Sequence, residues 1–211
     1  MVYASDVAGK KLTFQVSGKL WNRSLVMRDI ETGSLWSHIL GECMEGELKG
    51  QKLELIPSLM TTWGRWLAEH PDTTALDMKP TAERFGKDFY RNQREFVYAV
   101  KVRGEPKAYT FAFLAANPVL QEELGGVRVL VTYDAASTTA VIFEAGDLRF
   151  KPVLEGGRLV EVESGSKFDP LSGVATTGKH EGQQLEKLGG FVSYRKAWKV
   201  FYPGSKVVDQ K

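Results

Sequence analysis

Short segments of alternating apolar and polar positions, and short apolar runs bounded by turn residues, recur along this chain and predict a protein of short strands. Residues 11–16, 24–29, 51–56, 96–102, 108–114, 127–133, 138–143, 148–153, 159–162 and 183–188 read as strands in this way. Two segments read as helices, 61–69 and 193–201. Thr61 or Thr62 in one, and Ser193 in the other, stand where N-caps belong, and Pro71 and Pro203 lie just past the ends. Each helix is expected to lay one tryptophan, Trp66 or Trp198, into the core of its unit. Gly125 and Gly126 signal a turn between two strands.

The patterning is used twice. Residues 32–71 and 164–203 align without a gap at an offset of 132. Ten of those forty positions are identical: Gly33/Gly165, Ser34/Ser166, Gly41/Gly173, Gly46/Gly178, Gly50/Gly182, Gln51/Gln183, Leu53/Leu185, Glu54/Glu186, Trp66/Trp198 and Pro71/Pro203. Ordinary composition would give about two or three. Upstream, Glu31/Glu163 is identical, and Asp29/Glu161 and Thr32/Ser164 are alike in type. Leu12, Thr13 and Phe14 resemble Leu148, Arg149 and Phe150 at an offset of 136, so an insertion or deletion of four lies between.

This predicts an α+β fold, mainly β, with two internally repeated units of short antiparallel strands. Each unit forms a curled sheet or partial barrel with one helix. Residues 1–76 are the first unit, 77–95 a connector and 96–211 the second unit. The units are unequal: the second has about fifty strand-rich residues, 96–146, where the first has about ten. Val2 and Tyr3 loosely match Ile142 and Phe143, so the first copy reads as starting part-way through its unit. A homodimer partner is one way to complete it.

Composition narrows the chemistry. Twenty-eight basic and 26 acidic residues leave a net charge of +2, too balanced to steer nucleic acid or an anionic membrane. The single cysteine, Cys43, excludes an intrachain disulfide and a cysteine metal cage. No apolar stretch reaches the length of a membrane span, and residues 1–12 contain no signal-peptide core. The chain therefore reads as soluble, without an export signal, and extracytoplasmic if it derives from a longer precursor. There is no P-loop, nucleophile elbow, H-E-x-x-H or dinucleotide fingerprint, and three scattered histidines make no metal site. No cofactor and no metal are expected.

The candidate chemistry sits in the first unit. Asn22, Arg23, Ser24 and Arg28 surround one strand, and arginine geometry suits an anion. Together with Ser34 and Trp36 they are the expected ligand-binding set of a non-catalytic binding or interaction module. Its ligand, a small molecule or a protein, would lie in a groove between the units near residues 22–38. The alternative is a hydrolase-like enzyme using Asp29, His38 and Arg23. Binding is preferred, because these residues match no catalytic spacing.

Asp29 and Glu31, with Thr32 and Ser34, are echoed by Glu161, Glu163, Ser164 and Ser166. Paired carboxylates can raise one pKa for acid–base work. The plainer expectation is a turn whose hydroxyls bond backbone while the acids stay in water. His70 suits a helix C-terminus. Cys43 aligns with Ala175 and reads as a small core residue. Residues 84–91 mix bases with aromatics, more in the manner of a packed linker than of a single-strand binder.

Residues 14–36, FQVSGKLWNRSLVMRDIETGSLW, are similar to the signature of an uncharacterised prokaryotic family, domain of unknown function 3179. The likeness continues through Gly41, Gly46, Gly50 and Leu53, then Thr62, Trp63, Trp66, His70, Pro71 and Thr73. It takes in residues 102–111 and 125–134 as well. The resemblance implies no activity. It does imply that many members carry a cysteine pair spaced C-x-x-C where this chain has Asp134 and Ser137, which cannot do thiol chemistry.

Overall fold

The computed structural model describes residues 1–75 and 92–209. Residues 84–91, read above as a packed linker, lie outside the described residues. Among the described residues the strands form five small sheets, none of them closed. Phe14–Trp21, Ser24–Asp29, Leu35–Ser37 and Glu42–Glu45 form an antiparallel meander in the first unit. Its counterpart in the second is the shorter meander Leu159–Val160, Lys167–Phe168 and Ala175–Thr177. Asp6–Val7 and Lys10–Lys11 make a small pair of their own.

The second unit has two further sheets. One joins Val119–Leu124, Val127–Asp134, Thr139–Glu144 and Glu186–Lys187. In the other, the hairpin Phe96–Val102/Glu105–Thr110 is flanked by Gly190–Tyr194 on one side. On its other side lies Lys206–Val208, which pairs in parallel, unlike every other pair described. Helices span Trp63–Glu69, Phe111–Ala116 and Arg195–Phe201. Among the described residues no helix is long and apolar enough to cross a membrane.

The duplication extends to individual hydrogen bonds. Gly41 N–H donates to Ser37 O at 2.9 Å, and Gly173 N–H to Asp169 O at 2.9 Å. Leu53 N–H reaches Gly41 O, and Leu185 N–H reaches Gly173 O. Ile56 N–H donates to Val2 O, and Leu188 N–H to Ile142 O, each at 2.9 Å. Val2 and Tyr3 thus take the place of Ile142 and Phe143. A Cβ at Gly41 would lie 2.7 Å from the Tyr3 ring, and one at Gly173 would lie 2.6 Å from the Phe143 ring. An aromatic ring seals the same turn in both copies.

Several sequence expectations change. Residues 108–114 are not one strand: Glu105–Thr110 ends where the Thr110 hydroxyl accepts the Phe113 N–H and caps the helix Phe111–Ala116. Residues 148–153 keep only the isolated bridge Phe150–Glu161, and residues 51–56 only the bridges from Lys52 and Leu55. These segments lie on curled turns that break a ladder after one pair. Thr62 caps its helix as expected, but Ser193 does not; the cap position is Tyr194, which makes no side-chain cap bond. Val119–Leu124, missed in the sequence, is a true strand.

The largest correction is Trp66. Trp198 is fully buried, whereas Trp66 is 36% exposed. Trp198 packs with Val97, Ala99, Ala108 and Phe191, and these come from the sheet containing Phe96–Thr110. The described first unit has no equivalent of that hairpin, so its tryptophan lacks the same cover.

The units meet closely. Leu59 packs on the core of the second unit, while Met1 and Leu55 pack on the cluster around Trp198. Thr139 Oγ1 donates to Thr61 Oγ1 at 2.9 Å. Arg65 bonds Glu69 at 2.6 Å and reaches Asp169 at 3.7 Å.

Candidate functional site: an inter-unit groove and a duplicated buried turn

The polar signature of the first unit divides into two places. Its inner half is a buried turn. The Asp29 carboxylate accepts from Trp36 Nε1 at 2.8 Å, from the Thr32 N–H at 2.6 Å and from the Thr32 hydroxyl at 2.8 Å. Ser34 is buried beneath it, hydrogen-bonded to the Thr32 hydroxyl at 2.6 Å. The second unit repeats this with Glu161, Ser164 and Ser166, down to the Ser166 hydroxyl receiving the His180 N–H as Ser34 receives that of Leu48. Where Trp36 becomes Phe168 the indole donor is gone, and the longer Glu161 instead takes the Glu163 N–H at 2.9 Å.

Asp29 and Glu161 are therefore not in water, as the plainer sequence reading held; both are buried. Burial works to raise each pKa, but the hydrogen bonds outweigh it and hold both carboxyls below the ordinary range. Glu31 does lie at the surface, its pKa lowered chiefly by the Thr13 N–H it accepts at 2.8 Å.

The outer half of the signature is the tip of a hairpin. Ile30 N–H closes on Thr13 O in the first unit, as Val162 N–H closes on Arg149 O in the second. The first copy has four more residues between those bonds, which is the four-residue difference seen in the sequence. Two extra residues per arm carry the hairpin about 7 Å further. In the second unit the shorter hairpin turns at Gly156 and Gly157. In the first it turns at Asn22 and Arg23, both with positive φ, 48° and 64°. Such a tight turn suits asparagine and costs an arginine of the order of 1 kcal/mol or more.

The longer hairpin reaches the other unit. The Trp21 ring meets Phe201 edge-on at 5.0 Å. Beside this contact lies a groove of about 590 Å³ between the hairpin tip and the helix Arg195–Phe201. Asn22, Arg23 and Ser24 form one wall; Arg94, Glu95, Tyr194, Arg195, Lys196 and Val200 are on the other side. Arg195 is held by Asp209 at 2.5 Å, and its N–H by Glu95 O at 2.7 Å. Arg23, Arg94 and Lys196 have no ion-pair partner among the described residues. The groove thus sets four cations, Arg23, Arg94, Arg195 and Lys196, and one acid, Glu95, beside apolar and aromatic surface, an arrangement able to hold an anion that also carries an apolar body.

The remaining sequence candidates lie elsewhere. Arg28 is exposed on the strand, its guanidinium over Gly33. Ser34 and Trp36 belong to the buried turn. His38 is half-buried, with its N–H bonded to Leu25 O at 3.2 Å, and burial lowers its pKa. Asp29 stands four residues along the same strand from Leu25, about 13 Å away, and Arg23 is at the hairpin tip. Asp29, His38 and Arg23 are not brought together.

His70 follows the first helix and stacks on Trp66 at 4.0 Å. Cys43 is buried, which raises its pKa. Ser137 donates to Asp134 at 2.5 Å and bonds Thr139, so this pair closes its turn by a hydrogen bond. No group of three or more His, Cys, Asp or Glu able to hold a metal ion is found among the described residues. Sequence reasoning missed Arg94, Arg195 and Lys196; the Tyr-Arg-Lys run opening the last helix was the available signal.

One family model, described as protein of unknown function (DUF3179), matches the chain twice, over residues 1–94 and 87–211. No curated protein and no solved structure matches it.

Proposed function

The chain belongs to the DUF3179 family, described as of unknown function, and from the geometry of the groove we propose that it is a non-catalytic binding module. Its ligand is a small anion with an apolar or aromatic body, held in the groove between the first hairpin and the last helix. The observation that supports this reading is the four-residue extension of that hairpin, confined to one of two otherwise matched copies. It places Arg23 opposite Lys196 and Arg195. Arg23 adopts a conformation unfavourable for its side chain at that turn, and a backbone cost of this kind is commonly retained where position matters to function.

The ligand's charge would meet Arg23, Arg94 and Lys196, with Arg195 oriented by Asp209. Its apolar part would lie along Tyr194 and Val200. The hydrolase-like alternative gains no support, since Asp29 spends its carboxylate on Trp36 and Thr32 and is shielded from solvent.

The probe that tests the reading is 8-anilinonaphthalene-1-sulfonate, an aromatic anion whose fluorescence rises in apolar surroundings. The expected result is saturable one-site binding that weakens with salt. In the double variant Arg23→Glu, Lys196→Glu it should weaken about tenfold or more, or roughly 1.4 kcal/mol per tenfold. Trp66→Ser, at a residue that does not line this groove, should leave it unchanged. Equal affinity in the parent and the charge-reversed variant would exclude the groove as the site.

A further inference from the structure

The alignment that pairs the two units sets Lys187 opposite Leu55. Leu55 packs on the apolar cluster around Trp198. Lys187 is half-buried like Leu55, but it carries a charge. Leucine fills the matched position in the other copy, so the fold itself does not call for a cation there. The strand Glu186–Lys187 pairs with Thr139–Glu144, and its register sets Lys187 beside Phe143. The Lys187 amine lies 6.0 Å from the centre of the Phe143 ring, at the outer limit of a cation–π contact. Among the described residues it has no hydrogen bond and no ion pair.

This side chain lines a groove of about 470 Å³ between the units. Leu59, Trp66 and Leu171 give the groove apolar walls, and Glu69, His70 and Gln184 also line it. It shares no lining residue with the groove beside the last helix.

We propose that Lys187 is a carbonyl-reactive amine, which takes a small aldehyde with an apolar or aromatic body into this groove and holds it as an imine. The step needs no co-reactant. The nitrogen lone pair forms a bond to the carbonyl carbon, and the C=O π pair moves to oxygen. The two amine hydrogens then leave with that oxygen as water while the C=N bond forms. Water reverses the step, so the site captures its ligand without turnover.

Attack requires the neutral amine. Burial pushes the Lys187 pKa below the ordinary lysine value, while the charges of Glu69 and Asp169 act in the opposite direction. Both acids are already matched by arginine, Glu69 by Arg65 at 2.6 Å and Asp169 by Arg158 at 2.6 Å. His70 is the other titratable side chain lining the groove. Glu144 and Glu186, paired across the same two strands, fall on the opposite face of the sheet. A lysine desolvated beside apolar walls, with no anion bound to it, is set up for addition to a carbonyl.

The probe is benzaldehyde with sodium cyanoborohydride, which fixes the imine as a secondary amine that mass spectrometry locates on the full chain. At pH 7 Lys187 should be trapped at least about fivefold faster than the exposed Lys101, with a rate that saturates in benzaldehyde. That advantage should shrink as the pH approaches about 10, where ordinary lysines also lose their proton. Lys187→Arg should remove the fast site without changing the circular dichroism spectrum. Trp66→Glu adds a carboxylate to the groove at an exposed position, so the chain should stay folded and Lys187 should slow towards the rate of Lys101.

Three outcomes would overturn the proposal. One is trapping at Lys187 no faster than at Lys101. Another is an advantage that stays constant with pH, which would mark an amine that is accessible and no more. The third is an advantage unchanged by Trp66→Glu, which would place the reactive amine outside this groove.

Discussion

Trp198 and Trp66 occupy the same position of the same helix in two copies of one unit, yet one is sealed and the other is open. The local structure does not cause the difference. Both helices end with the residue after them bonded back to the tryptophan carbonyl, His70 to Trp66 at 2.9 Å and Tyr202 to Trp198 at 2.8 Å. Both tryptophans lie against that following ring, with centroids 4.0 and 4.1 Å apart. What differs is the third layer, the hairpin Phe96–Thr110, which covers only the second. The comparison teaches that a repeated unit can preserve its turns and helix while the burial of its tryptophan is decided by a hairpin distant from both in sequence. It is at such unmatched places, the exposed tryptophan and the extended hairpin, that the two copies have room to acquire different roles.

Breaking the comparison begins with the tryptophans. Trp198→Ala should cost about 3–5 kcal/mol of unfolding free energy, the usual range for emptying a packed aromatic site. Trp66→Ala should cost less than about 1 kcal/mol, as for an exposed position. Chemical denaturation of the two variants measures both, and equal losses would mean the first unit is closed.

The buried turns come next. Asp29→Ala should cost about 2–3 kcal/mol, since it leaves the Trp36 and Thr32 donors unpaired, and hydrogen bonds to charged groups are worth about that much. Glu161→Ala should cost less, about 1–2 kcal/mol, because no indole depends on it. If the order were reversed, the exchange of Trp36 for Phe168 would not be what distinguishes the turns.

Where the copies agree, substitutions should agree. Gly46 and Gly178 have φ of +107° and +92°, and a Cβ on either would stand 2.8 Å from the Cα of Ser34 or Ser166. Alanine at each should cost about 1–3 kcal/mol from strain and crowding, and the two costs should match closely.

The smallest expected effect is on pH. Asp29, Glu161 and Asp169 all have folded pKa values below the ordinary carboxylate range. For Asp169, burial opposes this, while the N–H groups of Ser172 and Leu171 and the charge of Arg158 more than offset it. Their contribution is complete above the unfolded carboxylate pKa, near about 4, and is lost as pH falls through the folded values. Urea midpoints should therefore hold level near neutrality and fall in acid, and Asp169→Asn should reduce the slope of that fall.

Much of this fold was legible in the sequence, and for a physical reason. The matched glycines, serines and acids sit at positive-φ turns and buried hydrogen bonds, where few residue types serve, so the repeat left identities. Strand 119–124 was not legible because Gln121, Glu122 and Glu123 interrupt its apolar pattern, with Tyr109 and Lys107 reaching across to Glu122. Residues 108–114 read as one strand because Thr110 gives no signal distinguishing a strand end from an N-cap until the chain turns. Trp66 was misplaced because its identity records what the helix is, and its burial depends on a hairpin elsewhere. Half of the groove could be read, from Asn22 to Ser24. The other wall, Arg195 and Lys196, becomes part of it only when the extended hairpin reaches the last helix, which no local pattern reports.

The central claim, one unit used twice with the helix tryptophan exposed in the first copy and buried in the second, can be tested by oxidative footprinting of the native chain, read tryptophan by tryptophan by mass spectrometry. The account predicts rapid modification of Trp63 and Trp66, with Trp36 and Trp198 protected. Protection of Trp66 equal to that of Trp198 would contradict it.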